Sequence, residues 1–277
     1  MENKQKFSVS MAVYHKDNAE WFNEALSSIF KQTLVPDEVV LVVDGPIPNE
    51  IDIIIQNFRA EYNQFKVTYL EKNVGHGEAR RIGLSQCTHE IVAIMDADDI
   101  CVPNRFEKQM AYFNKHPEIS IVGGYIKEFI GDPSNVVGTR EVPKNDKDIK
   151  EYMKSRCPMN LVTVMFKKED ILGAGGFIDW YCEEDYYLWI RMMQTQCIFK
   201  NIDENLVFVR VGQDMYQRRG GWKYFKSEAR LQHYMLKQRI IKIHRYLYNV
   251  LIRLAVQVLM PNTLRGFIFQ KLCRKSN

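Results

Sequence analysis

Length, composition and charge already exclude several classes of protein. With 277 residues, 46% of them hydrophobic, the chain can bury the core of one large α/β domain, alone or with an appendage, which argues against a disordered protein. Its six cysteines show no disulfide framework or zinc-binding spacing, and its first residues contain no apolar signal segment, so we expect a cytoplasmic protein. The net charge of +4 hides an asymmetry, because residues 218–277 carry 14 Lys or Arg and the single acid Glu228.

The first half of the chain alternates strand and helix patterns. Strands are predicted at residues 7–14, 38–45, 66–70 and 90–95, with helical patterns between them. Either of the polar residues at positions 17 and 18 could cap the first helix. Four strands with three intervening helices predict a parallel, doubly wound sheet. After the fourth strand the alternation loosens, and a strand pattern returns at 161–166.

Three of the four predicted strands end in polar groups that could bind a ligand. Asp44 ends the second strand, Asn73 follows the third, and the fourth runs into Asp96, Asp98 and Asp99. In open parallel sheets, ligands lie beyond the carboxyl ends of the strands. We therefore expect these side chains to meet at one edge of the sheet.

The aspartates after the fourth strand indicate a divalent metal. Asp96 and Asp98 are two residues apart on an extended chain, so their side chains can share a face. Carboxylates this close repel one another unless a cation or donor groups balance them. Because all candidate ligands are oxygens, we expect Mn²⁺ or Mg²⁺, held by one or two carboxylates together with substrate phosphates. The alternative is a solvated acidic turn before the next helix, where aspartate is common.

The order of five motifs resembles family-two glycosyltransferases of the GT-A fold. The motifs are SVSMAVYH, VLVVDG, NVGHGEARRIG, AIMDADD and GGFIDWYCEEDYYLWIRM, and the resemblance covers roughly residues 7 to 215. It implies an inverting, metal-dependent enzyme that moves one sugar from a nucleotide-sugar to a hydroxyl of a glycan or polyprenyl-linked acceptor. The enzymes that the chain resembles build bacterial capsule, exopolysaccharide (such as amylovoran) or O-antigen.

The resemblance assigns the nucleotide part of the donor site to residues of the first three motifs. Asp44 would accept the imide N–H of uracil, which implies a UDP-sugar, and Tyr14 would line the base pocket. Arg80 is the retained arginine of the third motif and would bind substrate, although Arg81 stands where asparagine is usual. Asp44 could instead be the acid of an ordinary strand exit, and Tyr14 an aromatic residue at the edge of the core.

The same resemblance gives each acid of the fourth motif a role. Asp96 would contact the ribose and share in binding the metal, and Asp98 would coordinate the metal directly. Asp99 would support one or both of these neighbours.

The segment CEEDYYLWIRM, residues 182–192, would supply the general base. Inverting transfer needs a carboxylate that takes the proton of the acceptor hydroxyl as it attacks the anomeric carbon. The resemblance assigns this role to Asp185, lets Glu184 position the acceptor or the base, and leaves Glu183 outside the pair. A competing interpretation is that these acids only favour the N-terminus of the following helix, where the helix dipole stabilises negative charge.

The basic stretch QRRGGW, residues 217–222, could neutralise the departing diphosphate. Arg218 or Arg219 would donate hydrogen bonds to it. Processive relatives carry Gln-x-x-Arg-Trp at this place, and the departure from that pattern implies that one sugar is added per reaction. A solvated basic turn is the alternative.

A basic amphipathic helical tail, residues 216–277, is predicted to follow a catalytic domain of residues 1–215. Between Tyr246 and Met260 the tail is apolar except for Asn249, Arg253 and Gln257, which is too short a stretch for a bilayer span of about 20 residues. Basic residues beside apolar ones are typical of an interfacial helix attracted to anionic lipid, so we expect peripheral attachment to the inner face of the cell membrane. The nine basic residues that carry this prediction are Lys237, Arg239, Lys242, Arg245, Arg253, Arg265, Lys271, Arg274 and Lys275. Packing on the catalytic domain or on a second subunit is the alternative.

Three other functional classes can be weighed against this one. A nicotinamide-dependent oxidoreductase would need Gly or Ala at the end of a GxGxxG motif after the first strand, whereas Arg80 occupies that place after the third. A basic tail could bind nucleic acid, but no RNA- or DNA-binding signature accompanies it, so we expect no nucleic-acid partner. A non-catalytic nucleotide-binding module of the same fold stays open.

Overall fold

A nine-stranded sheet forms the centre of the computed structural model, which describes residues 5–212 and 220–261. The strands are β1 (Phe7–Val13), β2 (Glu38–Val43), β3 (Phe65–Tyr69), β4 (Ile91–Met95), β5 (Ile100–Cys101), β6 (Ile121–Phe129), β7 (Val136–Arg140), β8 (Met165–Lys167) and β9 (Phe199–Arg210). Their order across the sheet is β3–β2–β1–β4–β8–β6–β9–β5, and β7 pairs with β6 beside this path.

Helices connect and cover the strands. They are α1 (Ala19–Phe30), α2 (Asn49–Glu61), α3 (His76–Gln86), α4 (Arg105–Lys115), α5 (Asp146–Met153), α6 (Lys168–Gly173), α7 (Glu184–Met193), α8 (Trp222–Lys237) and α9 (Ile243–Arg253). A π-helical turn at Leu254–Leu259 continues α9. Of the two predicted caps of α1, Asn18 is the one used, since its side-chain oxygen accepts a hydrogen bond from the N–H of Trp21 at 3.1 Å.

The predicted parallel, doubly wound arrangement of the first four strands is confirmed. β1 pairs in parallel with both β2 and β4, and β2 pairs in parallel with β3. Every residue of β2 and β4 is buried, because helices cover both faces of this half of the sheet. Phe22 of α1 belongs to the hydrophobic cluster on one face, and Leu84 of α3 belongs to the cluster on the other.

Antiparallel pairs enter in the second half of the sheet. β8 lies antiparallel between β4 and β6, while β9 runs parallel to β6 and antiparallel to β5. The strand predicted at 161–166 is wrong for its first half, where Leu161–Thr163 forms a 3₁₀ turn. The N–H and the hydroxyl of Thr163 both donate to the carbonyl of Asn160, at 2.8 and 2.7 Å, and thereby close that turn.

The described part of the predicted tail is helical and packs on the preceding residues. Leu231 and Met235 of α8 are buried in the same cluster as Trp189 of α7. No helix within residues 5–212 and 220–261 is both long and apolar enough to cross a bilayer. The division of the chain at residue 215 stays a prediction.

Candidate active site

The carboxyl ends of β1, β2 and β4 bring predicted donor residues to one edge of the sheet. A cavity of about 300 Å³ is lined by Tyr14, Arg80, Asp96 and Asp98. A smaller cavity of about 80 Å³ shares Tyr14 and adds Asp44. Side chains that lie far apart in the sequence therefore border connected space, as expected for a doubly wound sheet.

Asp44 organises the turn that leads into α3. Its Oδ1 accepts a hydrogen bond from the N–H of Val74 at 2.7 Å, and its Oδ2 accepts one from the N–H of Gly75 at 3.1 Å. The next residue, Gly45, has a φ of 87°, and a Cβ there would lie 2.5 Å from the nitrogen of Asn73. Each carboxylate oxygen keeps a further lone pair, so a ligand donor can still approach Asp44 from the cavity.

The acidic turn after β4 presents its aspartates in three environments. Asp96 is half-buried, and its Oδ1 accepts a hydrogen bond from Arg80 at 3.0 Å. Asp98 is half-buried and lines the main cavity. Asp99 is buried, and its Oδ1 accepts a hydrogen bond from the N–H of Arg210 at 3.0 Å. Burial, with the charges of Asp98 and Asp96, holds the pKa of Asp99 well above its usual range.

Asp17 is a fourth carboxylate of this site, which the sequence analysis considered only as a helix cap. Its Oδ2 accepts a hydrogen bond from the N–H of Tyr14 at 2.9 Å, and it lines both cavities. Burial raises its pKa to about 7, and the charges of Asp98 and Asp96 add to the shift. The signal was its position just after the first strand, at the same edge as the other acids.

These carboxylates fit a metal that binds together with its substrate. Within residues 5–212 and 220–261, no three His, Cys, Asp or Glu side chains form a ready-made metal cage. Burial raises the pKa values of Asp17 and Asp99, and the negative charges of Asp98 and Asp96 add to both shifts, so several acids share this space. Mg²⁺ and Mn²⁺ commonly take one or two carboxylates and complete their shell with water and phosphate oxygens. Asp98 and Asp96 are the residues placed to supply those carboxylates.

Arg210, at the end of β9, holds the acidic turn and was not found from the sequence. Its Nε donates to the carbonyl of Asp98 at 3.3 Å, and its Nη2 is paired with the carboxylate of Glu24. The guanidinium lies over the rings of Trp21 and Phe129, 4.8 and 4.6 Å from their centroids. No local pattern reveals this role, because more than a hundred residues separate Arg210 from the turn.

Asp185 lies in the first turn of α7 and lines both a cavity and an open cleft. It lines a cavity of about 280 Å³ together with Asp96 and Asp98, and also an open cleft of about 590 Å³. Burial raises its pKa to about 6, and the charge of Glu184 adds to the shift. A carboxylate with a pKa near neutrality is suited to take a proton from a hydroxyl group.

Arg80 connects the acidic turn to α7. Its Nη2 donates to Asp96 at 3.0 Å and its Nη1 donates to Glu184 at 2.5 Å, with the side chain only 11% exposed. The predicted substrate-binding arginine thus forms a bridge between the predicted metal and base motifs. Arg218 and Arg219, which were also predicted to bind substrate, lie outside the described residues.

The open cleft beside Asp185 is lined by acidic, basic and aromatic side chains. Trp180, Tyr181 and Arg140 line it, with Tyr224 from α8. The ammonium group of Lys223 lies 3.9 Å from the centroid of the Tyr181 ring. Aromatic faces next to a carboxylate can stack on a sugar ring while the carboxylate contacts its hydroxyl groups.

Comparison with known proteins gives this site a family context. The family model described as glycosyl transferase family 2 matches residues 8–169. The chain is 36% identical over 274 residues to UDP-Gal:alpha-D-GlcNAc-diphosphoundecaprenol beta-1,3-galactosyltransferase of Escherichia coli, covering 99% of this chain and 98% of that relative. It is also 36% identical over 265 residues to amylovoran biosynthesis glycosyltransferase AmsE of Erwinia amylovora, covering 96% of this chain and 98% of that relative.

Solved structures share the fold at low sequence identity. TarS 1–349 of S. aureus in complex with UDP-GlcNAc matches with a TM-score of 0.65 at 19% identity, over 91% of this chain and 73% of that one. Mannosyltransferase PcManGT from Pyrobaculum calidifontis in complex with GDP-Man and Mn²⁺ matches with a TM-score of 0.62 at 15% identity, over 97% and 79%. The predicted nucleotide-sugar-binding fold is confirmed.

Proposed function

Because this chain belongs to glycosyl transferase family 2 and is therefore a glycosyltransferase, we propose that it transfers a single sugar, with inversion, from a UDP-sugar to a lipid-linked glycan. The process it serves would be the synthesis of a bacterial surface polysaccharide. The observation that carries the proposal is the placement of Asp185, a carboxylate with a pKa of about 6 that lines both the cavity of the acidic turn and the open cleft.

A UDP-sugar is favoured as the donor. The name of the E. coli relative specifies UDP-Gal, and Asp44 and Tyr14 border the small cavity in which a uracil ring would lie. Asp44 would accept the imide N–H with a remaining lone pair, and Tyr14 would contact the base. The PcManGT structure contains GDP-Man, so the choice of uridine rests on Asp44 and the relative, not on the fold.

The acidic turn would hold a divalent metal on the diphosphate of the donor. Mn²⁺ or Mg²⁺ bound by Asp98 and Asp96 would stabilise the negative charge of the leaving nucleoside diphosphate. Asp96 would also contact the ribose. Arg80 keeps Asp96 in place through its hydrogen bond at 3.0 Å, and Asp99 and Arg210 hold the backbone of the turn. Arg218 and Arg219 remain candidates for further contacts with the diphosphate.

Asp185 would act as the general base. Its carboxylate takes the proton of the acceptor hydroxyl as the oxygen attacks the anomeric carbon, while Glu184, held by Arg80, positions the acceptor or the base. The acceptor sugar would lie in the open cleft, beside the exposed ring of Tyr181.

The acceptor would be presented at a membrane. The E. coli relative is named for an acceptor that carries diphosphoundecaprenol. In this chain, the charged residues after Gly221 are all basic except Glu228. A polyprenyl-linked acceptor in the inner leaflet, and peripheral attachment of the enzyme to the anionic surface there, follow as one proposal.

The test is a transfer assay with UDP-sugars and a GlcNAc-diphospho-lipid analogue, in Mn²⁺, Mg²⁺ or EDTA. We expect transfer from at least one UDP-sugar, its loss in EDTA, and a product whose anomeric configuration is inverted when read by NMR. Asp185→Asn should lower the rate of transfer about 10²- to 10⁴-fold and still bind UDP. Transfer by this variant at the wild-type rate would exclude Asp185 as the general base. A wild-type protein that binds UDP-sugars and turns none over would favour a non-catalytic module.

A further inference from the structure

Arg245, Asn249 and Arg253 of α9 face into the protein. The Nδ2 of Asn249 donates to the carbonyl of Lys154 at 2.9 Å and to the side-chain oxygen of Gln232 at 2.7 Å. One turn later, the Nη2 of Arg253 donates to the carbonyl of Ser155 at 2.6 Å. Asn249 is buried, so these bonds satisfy groups that have little access to water.

The inward polar face continues into the π-helical turn. The guanidinium of Arg253 lies 2.9 Å from the carboxylate of Glu228 on α8, and the side chain of Gln257 donates to the same carboxylate. Arg245, one turn before Asn249, donates to the hydroxyl of Ser155 at 2.6 Å. Residues 245, 249, 253 and 257 are four apart, so one stripe of the helix carries these polar groups. Arg245 and Arg253 were predicted to attract lipid, but their side chains bond within the protein.

The opposite face of α9 is aliphatic and open to solvent. Leu247 is 51% exposed, Leu251 is 62% exposed and Leu259, in the π-helical turn, is 72% exposed. Ile243, Tyr248 and Ile252 are exposed as well. This arrangement reverses the usual amphipathic helix of a globular protein, which turns its apolar stripe toward the core. A grouped set of exposed apolar side chains indicates an interaction surface.

The hairpin of α8 and α9 carries exposed charge of one sign, and the exposed acid beside it, Glu151 of α5, pairs with Arg245 at 3.4 Å. The exposed charged side chains of α8 and the α8–α9 turn are all basic: Lys223, Lys226, Arg230, Lys237, Arg239 and Lys242. The one acid of α8, Glu228, is only 12% exposed and pairs with Arg253. A second copy of the chain docked here would bring two basic surfaces together, which like-charge repulsion opposes. An anionic lipid surface is complementary to both the charge and the apolar face.

We infer that the aliphatic face of α9 is the part of this protein that enters the bilayer, with an anionic lipid leaflet as its occupant. Leu247 and Leu251 contact acyl chains, and Lys237 and Lys242, at the α8–α9 turn, contact headgroups. The inference deepens the proposed function, because a lipid-linked acceptor would be reached from the same surface. Its own basis is the orientation of α9, which is independent of the catalytic residues.

The experiment is flotation of the full chain with vesicles of phosphatidylcholine, alone or mixed with phosphatidylglycerol. We expect binding to the mixed vesicles and at least about tenfold weaker partition of the double variant Leu247→Glu/Leu251→Glu, which corresponds to about 1.4 kcal/mol. The matched control is Ile53→Glu on α2, since Ile53 is also 51% exposed; this variant should bind as the wild type does. Lys237→Glu/Lys242→Glu should remove the preference for phosphatidylglycerol.

Transfer to a water-soluble acceptor analogue separates this inference from the proposed function. Leu247→Glu/Leu251→Glu should keep that activity and an unchanged melting temperature, because both side chains are exposed. Unchanged vesicle binding by the double variant would overturn the inference. A wild-type dimer in light scattering that Leu251→Glu converts to monomer would also overturn it, in favour of a second copy as the occupant.

Discussion

The acidic edge of the sheet and the α8–α9 hairpin both depart from the rule that apolar side chains are buried and charged ones are exposed. The edge partly buries charged groups, and the hairpin exposes apolar ones. At the edge, Asp17, Asp96, Asp98 and Asp99 crowd like charges into a partly buried space, and the pKa of Asp17 rises to about 7. In the hairpin, Asn249 and Arg253 of α9 point inward, and Leu247 and Leu251 point outward. Local conflicts of this kind are expected where a protein binds something, because the missing partner resolves them. The partners proposed above would resolve both conflicts: a cation with a diphosphate at the edge, and an anionic lipid surface at α9.

The largest effect is expected at the base, which gives the acidic edge its chemistry. Asp185→Asn should lower kcat about 10²- to 10⁴-fold, since an amide cannot take the proton of the acceptor. The matched control is Asp170→Asn, because Asp170 is also an acid in the first turn of a helix, α6, outside the cleft. Equal and small effects of the two variants in a steady-state transfer assay would mean that Asp185 only stabilises the helix N-terminus.

The acidic turn should be nearly as sensitive. Asp98→Asn removes a negative charge from the proposed metal site, and we expect a loss of about 10²- to 10³-fold in kcat, the size typical of a lost transition-state contact. Titration with Mn²⁺ should also require more metal for half-maximal activity. If the turn were only a solvated acidic loop, the metal requirement of Asp98→Asn would equal that of the wild type.

Arg210 should act on the metal requirement and less on the maximal rate. Lysine cannot reproduce the planar fork that contacts the Asp98 carbonyl and Glu24, so Arg210→Lys should weaken apparent Mn²⁺ affinity about 10- to 100-fold. The matched control is Arg191→Lys, since Arg191 lies 4.5 Å from the ring centroid of Tyr187 and donates to the carbonyls of Ala174 and Gly176, away from the turn. A metal requirement that rises equally in both variants would indicate general destabilisation.

The shift of the pH profile should be the smallest of these effects. Its direction tests the role of Asp185. As the proposed base, Asp185 would accept a proton only when it is ionised. Burial raises its pKa to about 6, so kcat/KM should rise with pH and level off above that value. Glu184→Gln removes a negative neighbour that raises this pKa, so the midpoint should move to lower pH. Asp17→Asn removes the other carboxylate that titrates near neutrality, with a pKa of about 7. If the midpoint followed Asp17 and not Glu184, Asp185 would not be the base.

The sequence predicted those site residues that the neighbouring residues are enough to identify. Asp44, Asp96 and Asp98 follow apolar strands directly, and in a doubly wound sheet the ends of such strands meet at one edge. Asp17 follows β1 in the same way, but a helix cap explained it equally well. Arg210 had no local signal, because its partners lie on the acidic turn and on α1.

The tail likewise combines features that the sequence predicts with an orientation that only the structure shows. Asn249, Arg253 and Gln257 interrupt an apolar run, and the sequence alone predicts a surface helix with these three interruptions. In the structure these side chains bond to Glu228, Ser155 and Gln232, so this face of the helix points inward. The aliphatic face is exposed as a consequence.

The sequence by itself determined the strand–helix alternation, the parallel half of the sheet and the acids at its edge, since period, propensity and strand ends are properties of short segments. Only the tertiary structure decided that Arg80 bridges the two acidic motifs, that Arg210 holds the turn, and that α9 turns its polar stripe inward. The reason is physical: hydrogen bonds and ion pairs that satisfy buried polar groups join residues far apart in the chain, and such partners exist only once the chain has folded.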